Sequence, residues 1–196
     1  MSVAIVDSGG ANIASVTCAL ERLGVTPQLT TDAAILTGAD HVILPGVGAA
    51  EDAMQRLDAL GLSDVIRDLK QPVLGICLGM QLMAAGSAED NATCLGITND
   101  NAGRFTAAVS RPVPHMGWNC VHHNNESVLF DGIPSGAYFY FVHSYALAPS
   151  DSTVAMSHYD GDFSAAIAHN NFFGTQFHPE RSAHHGARLL RNFLAM

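Results

Sequence analysis

Cys77 sits in Gly75-Ile76-Cys77-Leu78-Gly79, and His178 and Glu180 sit far downstream in the run GTQFHPERS from Gly174 to Ser182. A thiol, an imidazole and a carboxylate are the parts of a covalent catalyst: nucleophile, proton carrier and orienting group. The Gly75-x-Cys77-x-Gly79 spacing matches the nucleophile elbow, a sharp strand-to-helix turn with no room for a β-carbon on either side of the nucleophile. Such a turn holds Cys77 out of the sheet at a helix N-terminus, where backbone N–H groups and the helix dipole favour a thiolate and can also bind an oxyanion. On its own Cys77 reads equally as a small buried hydrophobe. Downstream, His178 and Glu180 are two apart, so an extended strand projects both to one side, with Pro179 stiffening the link. Singly they read as a structural histidine and a solvated charge. With the elbow they read as a Cys-His-Glu triad.

The flanking chain supplies the elements that must position these groups. Val73 to Ile76 is an apolar run suited to a buried strand, and Met80 to Ala84 are helix formers. Val3 to Asp7 reads as a strand and is followed by a helix with Ile13, Val16, Leu20 and Leu23 on one face, closed by Gly24. Gly9-Gly10 reads as a tight βα turn, since no GxGxxG is present. Val25 to Thr30 reads as an edge strand because of Pro27, and Asp32 as the cap of a short helix through Leu36. Val42 to Leu44 is the third strand, ending in PGVG, Pro45 to Gly48. Ala49 to Leu60 and Ser63 to Leu69 read as helices. This alternation implies an α/β fold, a mostly parallel twisted sheet flanked by helices, with ligands at the carboxyl ends of the strands. PGVG and the elbow therefore face one crevice. From Gly86 to Asn125 the helical rhythm fades without a boundary or repeat. Ala137 to Val142, Thr153 to Met156, Ser164 to His169 and Phe172 to Phe177 read as antiparallel strands extending the sheet, with Asn170-Asn171 as a hairpin turn. Ser182 is the expected cap of a last helix whose buried stripe is Leu189, Leu190, Phe193 and Leu194.

Composition narrows the function classes. With 196 residues and 48% hydrophobic content, the chain is expected to form one domain, residues 1–196. A net charge of -9 and only nine Lys and Arg argue against nucleic acid as a partner. Lys70 is the only lysine, so a P-loop lysine is excluded and a Schiff-base lysine would have to be Lys70, two residues before a helix-breaking proline. No apolar run has the length of a membrane span and MSVAIVDSGG turns polar too early for a signal peptide, which makes the expected location cytoplasmic. Cys18, Cys77, Cys94 and Cys120 show no disulfide rhythm. The ten histidines include no HExxH, and the HxE at His178 is not followed by PCxxC, so neither a metal nor another cofactor is expected.

The chain also resembles a known family. GICLGMQ with GTQFHPERS is similar to the class I (triad) glutamine amidotransferases. PGVG, PHMGWN (Pro114 to Asn119) and YFVHSY (Tyr140 to Tyr145) place the resemblance among the glutaminase subunits of imidazole glycerol phosphate synthase. The resemblance covers nearly the whole chain, and PHMGWN with FVHSY is its most discriminating pair. It implies the class I amidotransferase fold and hydrolysis of glutamine to glutamate and ammonia. Cys77 would attack the carboxamide, His178 move the proton and Glu180 support the imidazolium. Backbone N–H groups of Leu78 and of Val47, the latter after a peptide reorientation, would hold the oxyanion. Gly48, Gln81, Glu89 and the backbone at His143, Ser144 and Tyr145 would bind the body of glutamine, with Glu89 on its α-ammonium. The implied partner is a (β/α)8 cyclase subunit, forming a heterodimer. It would receive the ammonia and make imidazole glycerol phosphate and an aminoimidazole carboxamide ribonucleotide in histidine biosynthesis. The partner would face the rim around PGVG, PHMGWN and Arg181.

Three positions depart from the pattern. Arg181 stands where the family usually has Lys, and DSGGAN stands where the opening turn usually reads closer to DYGMGN, with Ser8 for Tyr and Ala11 for Gly. The competing readings are a class I glutaminase serving another synthase, a stand-alone cysteine hydrolase and a non-catalytic regulatory subunit. PHMGWN and FVHSY argue against the first when its synthase is a pyridoxal phosphate synthase, and the intact triad argues against the last. A stand-alone hydrolase would need no partner.

Overall fold

The computed structural model describes residues 1–9, 13–124 and 126–196. Its first half follows strand-helix alternation: β1 (Val3–Val6), α1 (Ile13–Glu21), β2 (Gln28–Thr30), α2 (Ala33–Gly38), β3 (His41–Gly46), α3 (Ala50–Ala59), α4 (Leu62–Asp68), β4 (Val73–Cys77) and α5 (Leu78–Gln81). Short strands follow: β5 (Gly86–Ser87), β6 (Ala92–Thr93), β7 (Asn101–Arg104), β8 (His115–His123), β9 (Ala137–His143), β10 (Tyr145–Leu147), β11 (Thr153–His158), β12 (Asp162–His169) and β13 (Phe172–Thr175). A 3-10 turn at Pro179–Arg181 leads into α6 (Ala183–Leu194).

Among the described residues nine strands form one sheet in the order β2-β1-β3-β4-β13-β12-β11-β8-β9. The pairings from β2 to β13 are parallel and those from β13 to β9 antiparallel. Side chains alternate across the sheet with the period of two that strand geometry imposes. Val3, Ile5, Ile43, Leu74 and Ile76 pack with α1 and α6 on one face. Ala4, Val6, Val42, Leu44 and Val73 pack with α2, α3 and α4 on the other. β2 lies at the sheet edge, as Pro27 suggests. Asp32 caps α2 by accepting from the Ala34 N–H at 2.7 Å, and Asn170 turns the β12-β13 hairpin with φ +54°.

The structure corrects four expectations. β13 is antiparallel to β12 but parallel to β4, so the strand leading to His178 sits inside the sheet beside the strand leading to Cys77. It ends at Thr175 rather than Phe177. The expected Met80–Ala84 helix is instead the single turn of α5, which begins directly at Leu78 and then closes through further turn hydrogen bonds. Ser182 does not cap α6 with its side chain. Its hydroxyl donates to the His178 carbonyl at 2.7 Å and accepts from the Tyr140 N–H at 3.0 Å, which pins the 3-10 turn to β9.

The stretch without clear rhythm holds the long strand β8 and three strands of a second sheet, which among the described residues runs β10-β7-β5-β6 with β10 coming from later in the chain. In the small sheet, the β5-β6 turn carries Glu89, followed by Asp90 and Asn91 at φ +57° and +51°. Asp and Asn tolerate that left-handed region best among residues with a β-carbon.

The elbow depends on close backbone approach. Gly46 of β3 pairs with Cys77 of β4, and a β-carbon on Gly75 would lie 2.6 Å from the Gly79 carbonyl oxygen. A β-carbon on Gly79 would overlap the Leu44 carbonyl oxygen, a backbone atom of a fully buried strand that cannot swing aside. Gly79→Ala is therefore expected to destabilise the chain by about 3 kcal/mol. Thermal unfolding read by circular dichroism checks this, and an unchanged melting temperature contradicts it.

Candidate active site

Cys77 ends β4 at φ 55°, ψ -109°, a left-hand-side conformation that a residue with a β-carbon adopts only under constraint. Burial of all of β4, with β3 and β13 on either side, supplies that constraint. The turn pushes Cys77 up at the carboxyl end of the sheet into a cavity of about 430 Å³. Its walls include Val47, Gly48, Leu78, Gln81, Glu89, His143, Ser144, Tyr145 and His178. Every residue assigned to the site from sequence lines this cavity except Glu180, which stands behind His178.

His178 Nδ1 and Glu180 Oε1 are 2.8 Å apart, and both side chains are buried, at 3% and 0% exposure. The contact arises differently from the expected extended strand. His178 is extended at φ -98°, ψ 95°, and Pro179 then starts a 3-10 turn that folds Glu180 back under the ring. Burial acts to lower the His178 basicity, but hydrogen bonds and charge from Cys77 and Glu180 outweigh it and raise the imidazole to about 10. The ring is thus held as an imidazolium between the sulfur and the carboxylate. Because the raised value lies above the unfolded one, this interaction stabilises the fold fully below pH ~6.5 and is lost as pH rises toward the folded value. In an NMR titration the His178 Cε1–H signal is expected to remain in the protonated position at pH ~8 and to titrate at lower pH in Cys77→Ala. A neutral ring near pH ~8 contradicts the ion-pair arrangement.

The small sheet supplies the opposite wall. Glu89 Oε2 accepts from the Ala50 N–H at 3.0 Å, so the carboxylate is fixed at the start of α3. The Tyr145 carbonyl accepts from Gln81 Nε2 at 2.8 Å and from His143 Nδ1 at 2.9 Å. That second bond leaves His143 Nε2 as an acceptor for His115 Nδ1 at 3.0 Å, and Asn119 Nδ2 approaches His115 Nε2 at 3.4 Å. Burial lowers His143 to about 3 and His115 to about 4, which keeps both rings neutral. PHMGWN and FVHSY thus meet as one hydrogen-bonded chain that sets the backbone at 143–145.

The glutamine amidotransferase class-I family model matches residues 4–196. The chain belongs to the class I glutamine amidotransferases. Imidazole glycerol phosphate synthase subunit HisH of Xanthomonas axonopodis pv. citri is 50% identical to this amidotransferase over 194 residues, 99% of this chain and 97% of that one. Subunit HisH of Yersinia pestis is 48% identical over 197 residues, all of both chains. Among solved structures, a putative GMP synthase protein from Thermoplasma acidophilum aligns with TM-score 0.77 at 23% identity, covering 100% of this chain and 92% of that one. PurLQS from Thermotoga maritima aligns at TM-score 0.74 and 17% identity, covering 99% and 97%. At those identities the solved structures speak to the fold alone.

The positions that depart from the family pattern have distinct surroundings in this amidotransferase. Ser8 is buried and its hydroxyl donates to the Pro45 carbonyl at 3.2 Å, tying the opening turn to PGVG. Arg56 Nη1 holds the same turn through the Ser8 and Gly9 carbonyls. Arg181 is exposed at the cavity mouth with its guanidinium 5.2 Å from the Tyr140 ring centre. Ala11 lies outside the described residues. Sequence reasoning missed Val142, whose carbonyl lies 3.7 Å from Cys77 Sγ, and Gln176, whose Nε2 is equally close. Val142 lay inside YFVHSY and Gln176 inside GTQFHPERS, both without an assigned role.

Proposed function

We propose that this amidotransferase is the glutaminase subunit of an imidazole glycerol phosphate synthase and acts in histidine biosynthesis. The observation that carries the reading is Cys77 on a strained elbow in one cavity with the His178–Glu180 pair, in a chain about half identical over its length to HisH subunits.

Cys77 sulfur attacks the glutamine carboxamide carbon, and the carbonyl electron pair moves to oxygen, stabilised by the Leu78 N–H and, after a peptide reorientation, the Val47 N–H. The C–N bond breaks as His178 gives its proton to nitrogen, releasing ammonia and leaving a glutamyl thioester. Water then adds to the thioester with its proton passing to His178, the C–S bond breaks with its electron pair on Cys77, and glutamate leaves. Glu180 keeps the ring aimed and favours its protonated form before and after the two transfers. Glu89 takes the substrate's α-ammonium, while Gly48, Gln81 and the backbone at 143–145 take the rest of its body.

The ammonia passes to a (β/α)8 cyclase subunit, in a heterodimer, where imidazole glycerol phosphate and the aminoimidazole carboxamide ribonucleotide are made. Support for the docking face comes from the β8-β9 hairpin. Met116, Trp118 and Tyr138 are 64%, 52% and 58% exposed on one side of it, with Tyr140 paired to Trp118 and Val142 to Met116. An apolar strip that runs into the cavity mouth suits a partner seated over the site. Nucleic acid and membrane have no place in this reading. The whole chain, 1–196, serves the one site, and the four free cysteines fit a reducing cytoplasm.

Titration of the purified chain with the (β/α)8 cyclase subunit is expected to give a one-to-one complex. Trp118→Ala should weaken it by about 2 kcal/mol, roughly thirtyfold in Kd. Absence of a complex contradicts the place given to this chain in a synthase, and an unaffected Kd moves the docking face elsewhere.

A further inference from the structure

Among the described residues, two groups besides His178 approach the Cys77 sulfur. The Val142 carbonyl oxygen and Gln176 Nε2 both lie 3.7 Å from Sγ. They serve opposite states of the thiol. A carbonyl accepts from S–H but faces a thiolate unfavourably, whereas an amide N–H favours the charged sulfur.

Gln176 is wholly buried, just past the end of β13 and two residues before His178, with its backbone N–H donating to Ala165. The direction of its amide follows from a backbone atom. The Tyr145 carbonyl can only accept, so Gln81 must present its nitrogen there, at 2.8 Å. That nitrogen can only donate, so Gln176 must present its oxygen to it, at 2.9 Å. The Gln176 NH2 group is then turned toward Cys77. A neutral amide is suited to this position, because it donates to sulfur without competing with His178 for the proton.

We propose that Gln176 is a further catalytic residue: its amide donates to the Cys77 sulfur, favouring the thiolate both as attacking group and as the leaving group of the thioester, and ties that sulfur to Gln81 in the glutamine pocket. The inference rests on Cys77 being the nucleophile of the proposed glutaminase. It assigns the one polar side chain of GTQFHPERS between Thr175 and His178, which the triad leaves without a part.

The test reads the sulfur without glutamine turnover. Iodoacetamide labelling of Cys77, followed by mass spectrometry of its peptide from acid to alkaline pH, separates it from Cys18, Cys94 and Cys120. Gln176→Met removes the donor at similar length. Gln176→Glu keeps the shape and the acceptor for Gln81 but places an acceptor against the sulfur. Both should slow labelling at neutral pH about tenfold and move its midpoint to higher pH by about one unit, the Glu variant more than the Met variant. An unchanged profile in either folded variant overturns the proposal and leaves Gln176 a packing residue. In the unmutated chain the Gln176 side-chain amide protons should shift in NMR as Cys77 ionises; signals that stay fixed overturn it irrespective of how the variants fold. Failure of the glutaminase reading would appear separately, as no glutamate released by the unmutated chain.

Discussion

Cys77→Ala is expected to lower glutamine hydrolysis roughly a millionfold while leaving the complex with the cyclase and its use of free ammonia intact. In the proposed mechanism the change removes the protein atom that bonds to the substrate carbon, and the groups beside it offer no replacement. Val142 offers a carbonyl, Gln176 an amide, and His178 is held as a cation by its two partners. Little surface is lost, since Cys77 is 8% exposed. Measuring glutamate release by the variant within the heterodimer, beside synthesis supplied with an ammonium salt, separates the two activities. Glutamine turnover that survives in Cys77→Ala contradicts the nucleophile assignment.

His178→Ala should cost nearly as much as the loss of Cys77, and Glu180→Gln about 10- to 100-fold less than His178→Ala. The order follows from the geometry. In the proposed mechanism His178 carries the proton to ammonia, whereas Glu180 acts on the ring through the 2.8 Å contact at Nδ1. Glutamine at 180 can still accept from Nδ1–H and keep the ring aimed, but it no longer supplies the charge that helps raise the imidazole, so His178 should titrate at lower pH as well. Single-turnover assays with an NMR titration of the variant read both effects. Equal or reversed losses would contradict the roles given to the two residues.

Much of this arrangement is legible in the chain because local rules dictate it. The alternating apolar residues of β1, β3 and β4 report their burial, and Gly75 and Gly79 report a turn in which backbone meets backbone. What is illegible depends on partners distant in sequence. The apolar run from Phe172 announces a strand but not that β4 would be its parallel neighbour. β5 and β6, two residues each, are too short to show any period. His178 and Glu180 are spaced as they would be on a strand, yet a 3-10 turn after Pro179 brings them together. A two-residue separation serves either geometry, so the spacing revealed the pair without its shape. The hydroxyl of Ser182 was expected at a helix start and is instead shared between Tyr140 and His178. Gln176 illustrates the same limit within the site, because its direction is fixed by Tyr145 through Gln81, both far away in the chain.

The most direct test is glutamate release from glutamine by the purified chain, first alone and then with a (β/α)8 cyclase subunit carrying a bound substrate analogue, with Cys77→Ala as control. A low rate alone that rises sharply on mixing, and is absent in the control, is the predicted result. A high rate alone that no cyclase changes would contradict the account and identify a stand-alone hydrolase.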